Sequence, residues 1–372
     1  MWTYACCSFI IIAMIQDFDY QNCIGPLLDW FDTHARVLPW RSDPSPYRVW
    51  ISEIMLQQTR VEAVKYYFDR FLEALPDIAS LAACPEDRLL KLWEGLGYYN
   101  RVRNLQAAAR QIMDEYGGEM PADYEKLLRL KGIGRYTAGA VASIAFGLPV
   151  PAVDGNVLRV MTRLTADDTD VMQPAFRSRL EETISGIIPD KRAGSFNQAL
   201  MELGATVCVP NGLPKCNECP WESFCLAHLA GRETEFPVKS AKKPRRREEK
   251  TVLVICDGAR TVLRKRPAKG LLAGLYEFPS ETGFLSPKEA LLRAEALGFS
   301  PVYIQPLPDA GHIFTHVEWH MKGYLIKTAE TESVPRGLIL ADKDEIETDY
   351  PMPSAFSKYT RILHIRLGKK EL

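Results

Sequence analysis

The sequence predicts a multidomain chain, an all-α half followed by an α+β half, and three observations carry that prediction. Apolar residues recur at spacings of three and four from Asp29 to about Ala230, the period of helices that bury one face. The rhythm stops between Pro237 and Lys250, where the text reads PVKSAKKPRRREEK. Beyond it, two short β-branched runs, Thr251 to Cys256 and Thr261 to Arg266, flank Asp257-Gly258, a hairpin signal.

Composition narrows the class. A chain of 372 residues is about two ordinary domains long, and 47% apolar with 25% charged excludes disorder and fibres. With 46 basic and 47 acidic residues the net charge is −1, so no overall positive field draws the chain onto nucleic acid or anionic lipid. Any nucleic-acid surface is local. The apolar run Ser8 to Ile15 is far short of the roughly 20 residues that span a bilayer. Met1 to Ile15 carries no Lys or Arg, so a secretory signal is not expected either. Methionine recurs at Met14, ahead of the amphipathic pattern Ile24, Leu27, Leu28, Phe31, and residues 1–13 read as a non-native extension. The expected domains are 14–235 and 251–372, joined by a basic linker over 236–250.

Helical stretches are expected within Trp50 to Thr59, along the stripe Val61, Val64, Tyr67, Phe68, Phe71, Leu72, Leu75, and through Leu105–Tyr116 and Leu180–Ile188. The linker is either a solvated connector or, through the five basic residues within Lys242 to Arg247, a phosphate contact. In the second half Pro287 to Leu297 reads as a helix and Val317 to Lys327 as a strand. No solenoid-period repeat or low-complexity tract is present.

Three constellations carry chemistry. The first is Gly132-Ile133-Gly134, within LKGIGRYTAGA. Two glycines one residue apart allow a tight turn whose N–H groups, near a helix start, hold a phosphate oxygen; the alternative is an ordinary helix–helix turn. The second pairs Asp154, in VDGNV, with Glu53, in WISEIMLQQT. Asp154 alone reads as an N-cap. A Glu on an apolar face is costly unless paired or protonated, and two carboxylates in unlike environments are what glycosidic cleavage requires, one raised to donate a proton and one ionised to stabilise an oxocarbenium. The third is Cys208, Cys216, Cys219 and Cys225, four of nine cysteines crowded into a C-x7-C-x2-C-x5-C run. Such crowding is a metal site in a reducing compartment rather than a disulfide framework, and Cys₄ coordination suits zinc and a [4Fe–4S] cluster alike.

In this order, SEIMLQQT, GLGYYNRVRNL, LKGIGRYTAGA, VDGNV and the four cysteines resemble the helix-hairpin-helix DNA glycosylases, and within them the MutY-type adenine DNA glycosylases. The resemblance spans Arg36 to Cys225 and continues weakly beyond. It implies an all-α helix-hairpin-helix glycosylase domain with a [4Fe–4S] module, followed by an α+β Nudix-like domain. The implied task in base excision repair is hydrolytic removal of adenine opposite 8-oxoguanine, with A:G pairs secondary, from a base flipped out of double-stranded DNA. Glu53 would be the general acid that protonates adenine N7, Asp154 the carboxylate that stabilises the sugar C1′, and Tyr136 and Asn156 their supports. Arg36, Leu38, Trp40 and Gln198 would wall the adenine pocket, and Gln58 and Tyr98 would wedge into the stack near the lesion. Phe314, Thr315 and His316 would match a Phe-Ser-His loop that recognises 8-oxoguanine, with Thr replacing Ser.

Tyr136 stands where strand-nicking relatives similar to endonuclease III place a Schiff-base Lys, so base removal without strand cleavage is expected. Lys131, in the turn, is a poor substitute. A Nudix pyrophosphatase needs a run of glutamates for its cation, whereas LLRAEALG holds only Glu295, and hydrolysis of pyrophosphates is not expected. His312, His316 and His320 are four apart, but the pattern around them is strand rather than metal-binding helix. The first cysteine gap, Val209 to Lys215, is seven residues where the family usually has six, and Lys215 is its one basic residue. The alternatives are a bifunctional endonuclease III-like glycosylase and AP lyase, disfavoured by Tyr136, and a non-catalytic iron–sulfur DNA-binding protein, which has no use for Glu53 and Asp154. A monomer is expected, in the bacterial cytoplasm at the nucleoid, without membrane association.

Overall fold

The computed structural model describes residues 18–241, 244–331 and 333–368. The expected extension 1–13 and the apolar run Ser8 to Ile15 lie outside the described residues, as do Lys242 and Lys243 of the linker. Helices follow one another along the first half: α1 Gln21–His34, α2 Pro39–Ser42, α3 Pro46–Leu56, α4 Val61–Ala74, α5 Ile78–Ala83, α6 Glu86–Leu92, α7 Asn100–Tyr116, α8 Tyr124–Arg129, α9 Arg135–Phe146, α10 Gly155–Thr165, α11 Pro174–Ser185, α12 Ala193–Thr206 and α13 Leu226–Leu229. Among the described residues up to 241 there is no strand. No described helix is long and apolar enough to cross a membrane.

Local chemistry sets the helix ends. Ser45 caps α3 by accepting from the Arg48 N–H, with Pro46 in the first turn, and Asp123 caps α8 through the Lys126 N–H, each meeting an otherwise orphaned donor. Helix α9 stops at Gly147, which is left-handed (φ +70°). Helix α11 ends at Ser185, short of the Ile188 its apolar stripe suggests: Gly186, still right-handed (φ −74°), closes the last turn, and Pro189 disfavours helical backbone at the residue before it, while Ile184 and Ile188 both stay buried.

Two compact units form. The first holds the residues to Asp69, Asp77–Ala79 and Ala107–Ala241. One core in it packs Leu27 of α1, Val157 and Leu164 of α10, and Phe196, Leu200 and Leu203 of α12. Close approach requires Gly139 of α9, where a Cβ would lie 2.0 Å from the Pro151 carbonyl oxygen.

The second unit holds Arg70–Pro76, Ser80–Gln106 and the described residues from Pro244. Its strands are β1 Arg246–Asp257, β2 Arg260–Lys265, β3 Tyr276–Glu277, β4 Ser280–Thr282, β5 Pro301–Ile313, β6 Val317–Thr328 and β7 Leu338–Ala341, and its later helices are α14 Pro287–Ala296, α15 Lys343–Thr348 and α16 Ser357–Ile362. The sheet runs β3-β2-β1-β6-β5, with β4 on β1 and β7 on β2. The hairpin expected at Asp257-Gly258 joins β1 to β2, Asp257 opposite Arg260. Strand β1 starts at Arg246, five residues ahead of the β-branched run, because Arg246 to Lys250 pair in parallel with Val317 to Met321. Alternation along β1 sends Val252 and Val254 to one face, against Trp319, Phe356 and Tyr359, and Leu253 and Ile255 to the other, against Ala290, Ala294 and Phe299. The Ser286 capping box starts α14. Within the same unit α6 meets the C-terminal segment: Lys91 Nζ donates to the Ile346 carbonyl (2.8 Å) and Glu94 Oε1 accepts from the Met352 N–H (2.7 Å).

Candidate active site

A cavity of about 580 Å³ opens in the first unit, and Glu53, Tyr136, Asp154 and Asn156 all line it. Glu53 projects from α3 and is 6% exposed. Tyr136, in the first turn of α9, donates its hydroxyl to Glu53 Oε2. Burial pushes the Glu53 carboxyl up to about 7; the Tyr136 bond pulls it down and the charge of Asp154 raises it again. A carboxylic acid still half-protonated at neutrality faces the cavity.

Asp154 turns out to be an N-cap as well. Its Oδ1 accepts from the Asn156 and Val157 N–H groups (2.8 Å each) at the start of α10, and Oδ2 from Asn156 Nδ2 (2.8 Å). Burial raises its pKa and those three donors oppose the rise. All its partners are donors, the set that suits a carboxylate. Asn156 is held in turn: its Oδ1 accepts from Arg159 Nη2 (2.8 Å), and Arg159 Nε donates to the Cys208 carbonyl (2.8 Å).

Arg36, Leu38, Trp40, Gln58 and Gln198 line the same cavity. Gln58 is left-handed (φ +59°), a strained setting for a side chain. Two residues escaped the sequence reading. Glu202, 1% exposed, takes both Arg36 Nε (2.6 Å) and Nη2 (2.9 Å), and also Arg41 Nη2 (2.9 Å). Burial works against its charge, but the Arg36 bond and the Arg41 charge outweigh it and lower the pKa. Arg41 Nε in turn donates to Gln198 Oε1 (3.1 Å), leaving the Gln198 NH₂ as the free end of that amide. The available signal was Glu202 one turn beyond Gln198 on α12.

The hairpin joins α8 to α9. Gly132 is left-handed (φ +77°), Ile133 is buried as an anchor, and Gly134 is the N-cap of α9 without a side-chain cap, so the first N–H groups of α9 face outward past two exposed glycines. Cys208, Cys216, Cys219 and Cys225 converge on a small cavity of about 30 Å³. All four are free thiols; burial pushes Cys216 up to about 11 and Cys219 to about 12. Four converging soft donors fit a metal that takes thiolates. Arg163 Nη1 donates to Cys208 Sγ (3.3 Å). Lys215, in the gap, is exposed and paired with Glu218.

The remaining candidates lie in the second unit. Phe314, Thr315 and His316 form the β5–β6 turn, closed by the Phe314 N–H on the Val317 carbonyl (2.8 Å). Phe314 packs on His312 and Trp319 (ring centroids 4.5 and 4.8 Å), leaving Thr315 and His316 exposed. Tyr98 Oη lies 3.2 Å from Thr315 Oγ1. His312 and His320 stand on paired strands, opposite Trp319 and Gly311 respectively, as the strand reading expects. Glu295 is exposed on α14 and Glu289 is used in its capping box.

Residues 51–185 match the HhH-GPD superfamily of base excision DNA repair proteins, and residues 251–361 match the NUDIX domain. The adenine DNA glycosylase of Homo sapiens is 36% identical over 87% of this chain and 71% of its own length. That of Buchnera aphidicola is 33% identical over 81% of this chain and 85% of its own. The chain belongs to the adenine DNA glycosylase family. Among solved structures, a thermostable thymine-DNA glycosylase (28% identity, TM-score 0.51) covers 57% of this glycosylase along its whole length. An endonuclease III in non-covalent complex with DNA (26%, TM-score 0.50) also covers 57%, along 98% of its own chain. The family activity, adenine DNA glycosylase in base excision repair, thus falls to this chain, and the cavity around Glu53 and Asp154 is its candidate active site.

Proposed function

We propose that this glycosylase excises adenine paired with 8-oxoguanine, A:G pairs being secondary, and leaves the strand intact. One observation carries the reading: an acid with a pKa of about 7 and a donor-bound carboxylate share one cavity. An adenine flipped into that space receives the Glu53 proton at N7 and departs neutral. Asp154 faces the oxocarbenium that develops at C1′, and water completes hydrolysis. Tyr136 offers a phenol, held on Glu53, where a lyase requires a free amine. Arg36, Leu38, Trp40 and Gln198 enclose the base, while Gln58 and Tyr98 enter the stack and Thr315 offers its hydroxyl to the lesion. Glycines 132 and 134 with Ile133 take a phosphate on backbone N–H groups.

The four cysteines would hold a [4Fe–4S] cluster, which supplies covalent cross-links between the ends of α12 and α13. Reduced thiols suit a reducing compartment that holds DNA. Incubation with duplexes that differ only in the base opposite adenine, with and without alkali, tests the reading. Abasic product is expected fastest opposite 8-oxoguanine and strand breaks only after alkali; breaks without alkali, or equal rates opposite every base, would reject it.

A further inference from the structure

Arg101 sits where helix physics does not want it. It is the second residue of α7, at the positive end of the helix dipole, where a cation is disfavoured. Burial lowers its pKa to about 10. What the position does serve is the loop before the helix. Arg101 Nη2 donates to the carbonyls of Leu96 (3.0 Å) and Gly97 (3.2 Å). The guanidinium carbon lies 5.6 Å from the Tyr98 ring centre and 5.3 Å from that of Trp93, a fully buried side chain whose Nε1 donates to the same Gly97 carbonyl (3.1 Å). The loop itself is unusual: Gly95, Gly97 and Tyr98 are all left-handed (φ +98°, +68° and +48°), and the tyrosine is 50% exposed.

We propose that Arg101 is the positioning residue for Tyr98, its planar guanidinium backing the ring and fixing the loop carbonyls so that the free face of the ring meets the base stack already oriented. The inference rests on the reading that Tyr98 enters the duplex. Trp93 anchors the guanidinium, the two bonds from Nη2 to the Leu96 and Gly97 carbonyls set the loop, and the guanidinium over Tyr98 keeps the ring from collapsing onto the protein. The Thr315 hydroxyl holds the phenol end. Lysine would keep the charge and can donate to carbonyls but lacks the flat face.

The test uses the full chain and a duplex carrying 2-aminopurine beside 8-oxoguanine, opposite a non-cleavable carbocyclic adenosine. Wedge entry unstacks the probe and raises its fluorescence. Arg101→Lys and Arg101→Met are expected to lose most of that rise and, on a matching duplex with natural adenosine, to slow saturating single-turnover excision about tenfold or more, while affinity for an undamaged duplex changes less than about threefold, since misplacement costs rate rather than phosphate contacts. Tyr98→Ala is the control. A rise that Tyr98→Ala also keeps removes the wedge reading, and this inference with it. A rise lost in Tyr98→Ala but intact in both Arg101 variants overturns this inference alone. Loss of folding in both Arg101 variants, seen as a collapsed thermal transition, also overturns it, assigning Arg101 to fold maintenance.

Discussion

Burial raises the Glu53 carboxyl toward neutrality, and that has a pH signature of definite sign. Its ordinary value is 4.5 and its value in the fold about 7, so across that window the folded chain binds more protons than the unfolded one. Stability therefore declines as pH rises through the window, by up to about 3 kcal/mol, and is flat above it. Excision should fall about tenfold per pH unit above about 7 as the acid is lost. Glu53→Gln is expected to abolish excision while keeping mismatch binding, and to remove the decline in stability; single-turnover rates and denaturant melts across the neutral range check both. Glu53 was visible in the sequence because it is a charge in apolar company; Asp154, beside Gly155 and Asn156, read alone as an N-cap and stood out only as the second carboxylate that glycosidic cleavage requires. Arg41 and Glu202 were not visible, since their partnership joins residues 161 positions apart and each alone looks like a surface charge.

At the scale of elements, α9 must lie close to the segment that leads into Asp154. Gly139 permits this, its missing Cβ replaced by the Pro151 carbonyl. Gly139→Ala should destabilise the fold by about 1–3 kcal/mol through overpacking and slow excision by displacing the Asp154 cap, measurable in urea melts and single-turnover assays. Helix periodicity and the Asp257-Gly258 hairpin were legible because they are local. The early start of β1 was not: Arg246 to Lys250 carry no apolar alternation, and only the β6 partner makes them strand. The end of α11 was overshot for the converse reason, since Ile188 continues the apolar stripe after the helix has ended.

Within the first unit, the Cys208 carbonyl, Arg159, Asn156 and Asp154 form one continuous hydrogen-bonded chain. Purified protein is expected to be brown with about four irons per chain; stripping them should lower both the melting temperature and the excision rate, and stoichiometric zinc instead would overturn the cluster. In the second unit, buried Glu94 depends on the Met352 N–H and Lys91 on the Ile346 carbonyl. Truncation before β1 would remove both partners and leave Lys91 and Glu94 only each other, so Thr315→Val, which also releases the Tyr98 phenol, is the smaller perturbation. It is expected to reduce the preference for 8-oxoguanine over guanine more than the rate opposite guanine, read from paired single-turnover assays. That residues 80–106 would group with the C-terminal strands was not legible, because no local pattern encodes such distant contacts.

Tyr98 keeps a backbone shape that glycine or asparagine would adopt with less strain, by roughly 1 kcal/mol. A library screened only for heat resistance should therefore favour Tyr98→Asn, and on the proposed role of Tyr98 it would lose the wedge along with the strain. Robustness and vigilance pull in opposite directions at this one position, and any thermotolerant variant of the enzyme needs its mutation-suppressing power assayed separately from its melting point.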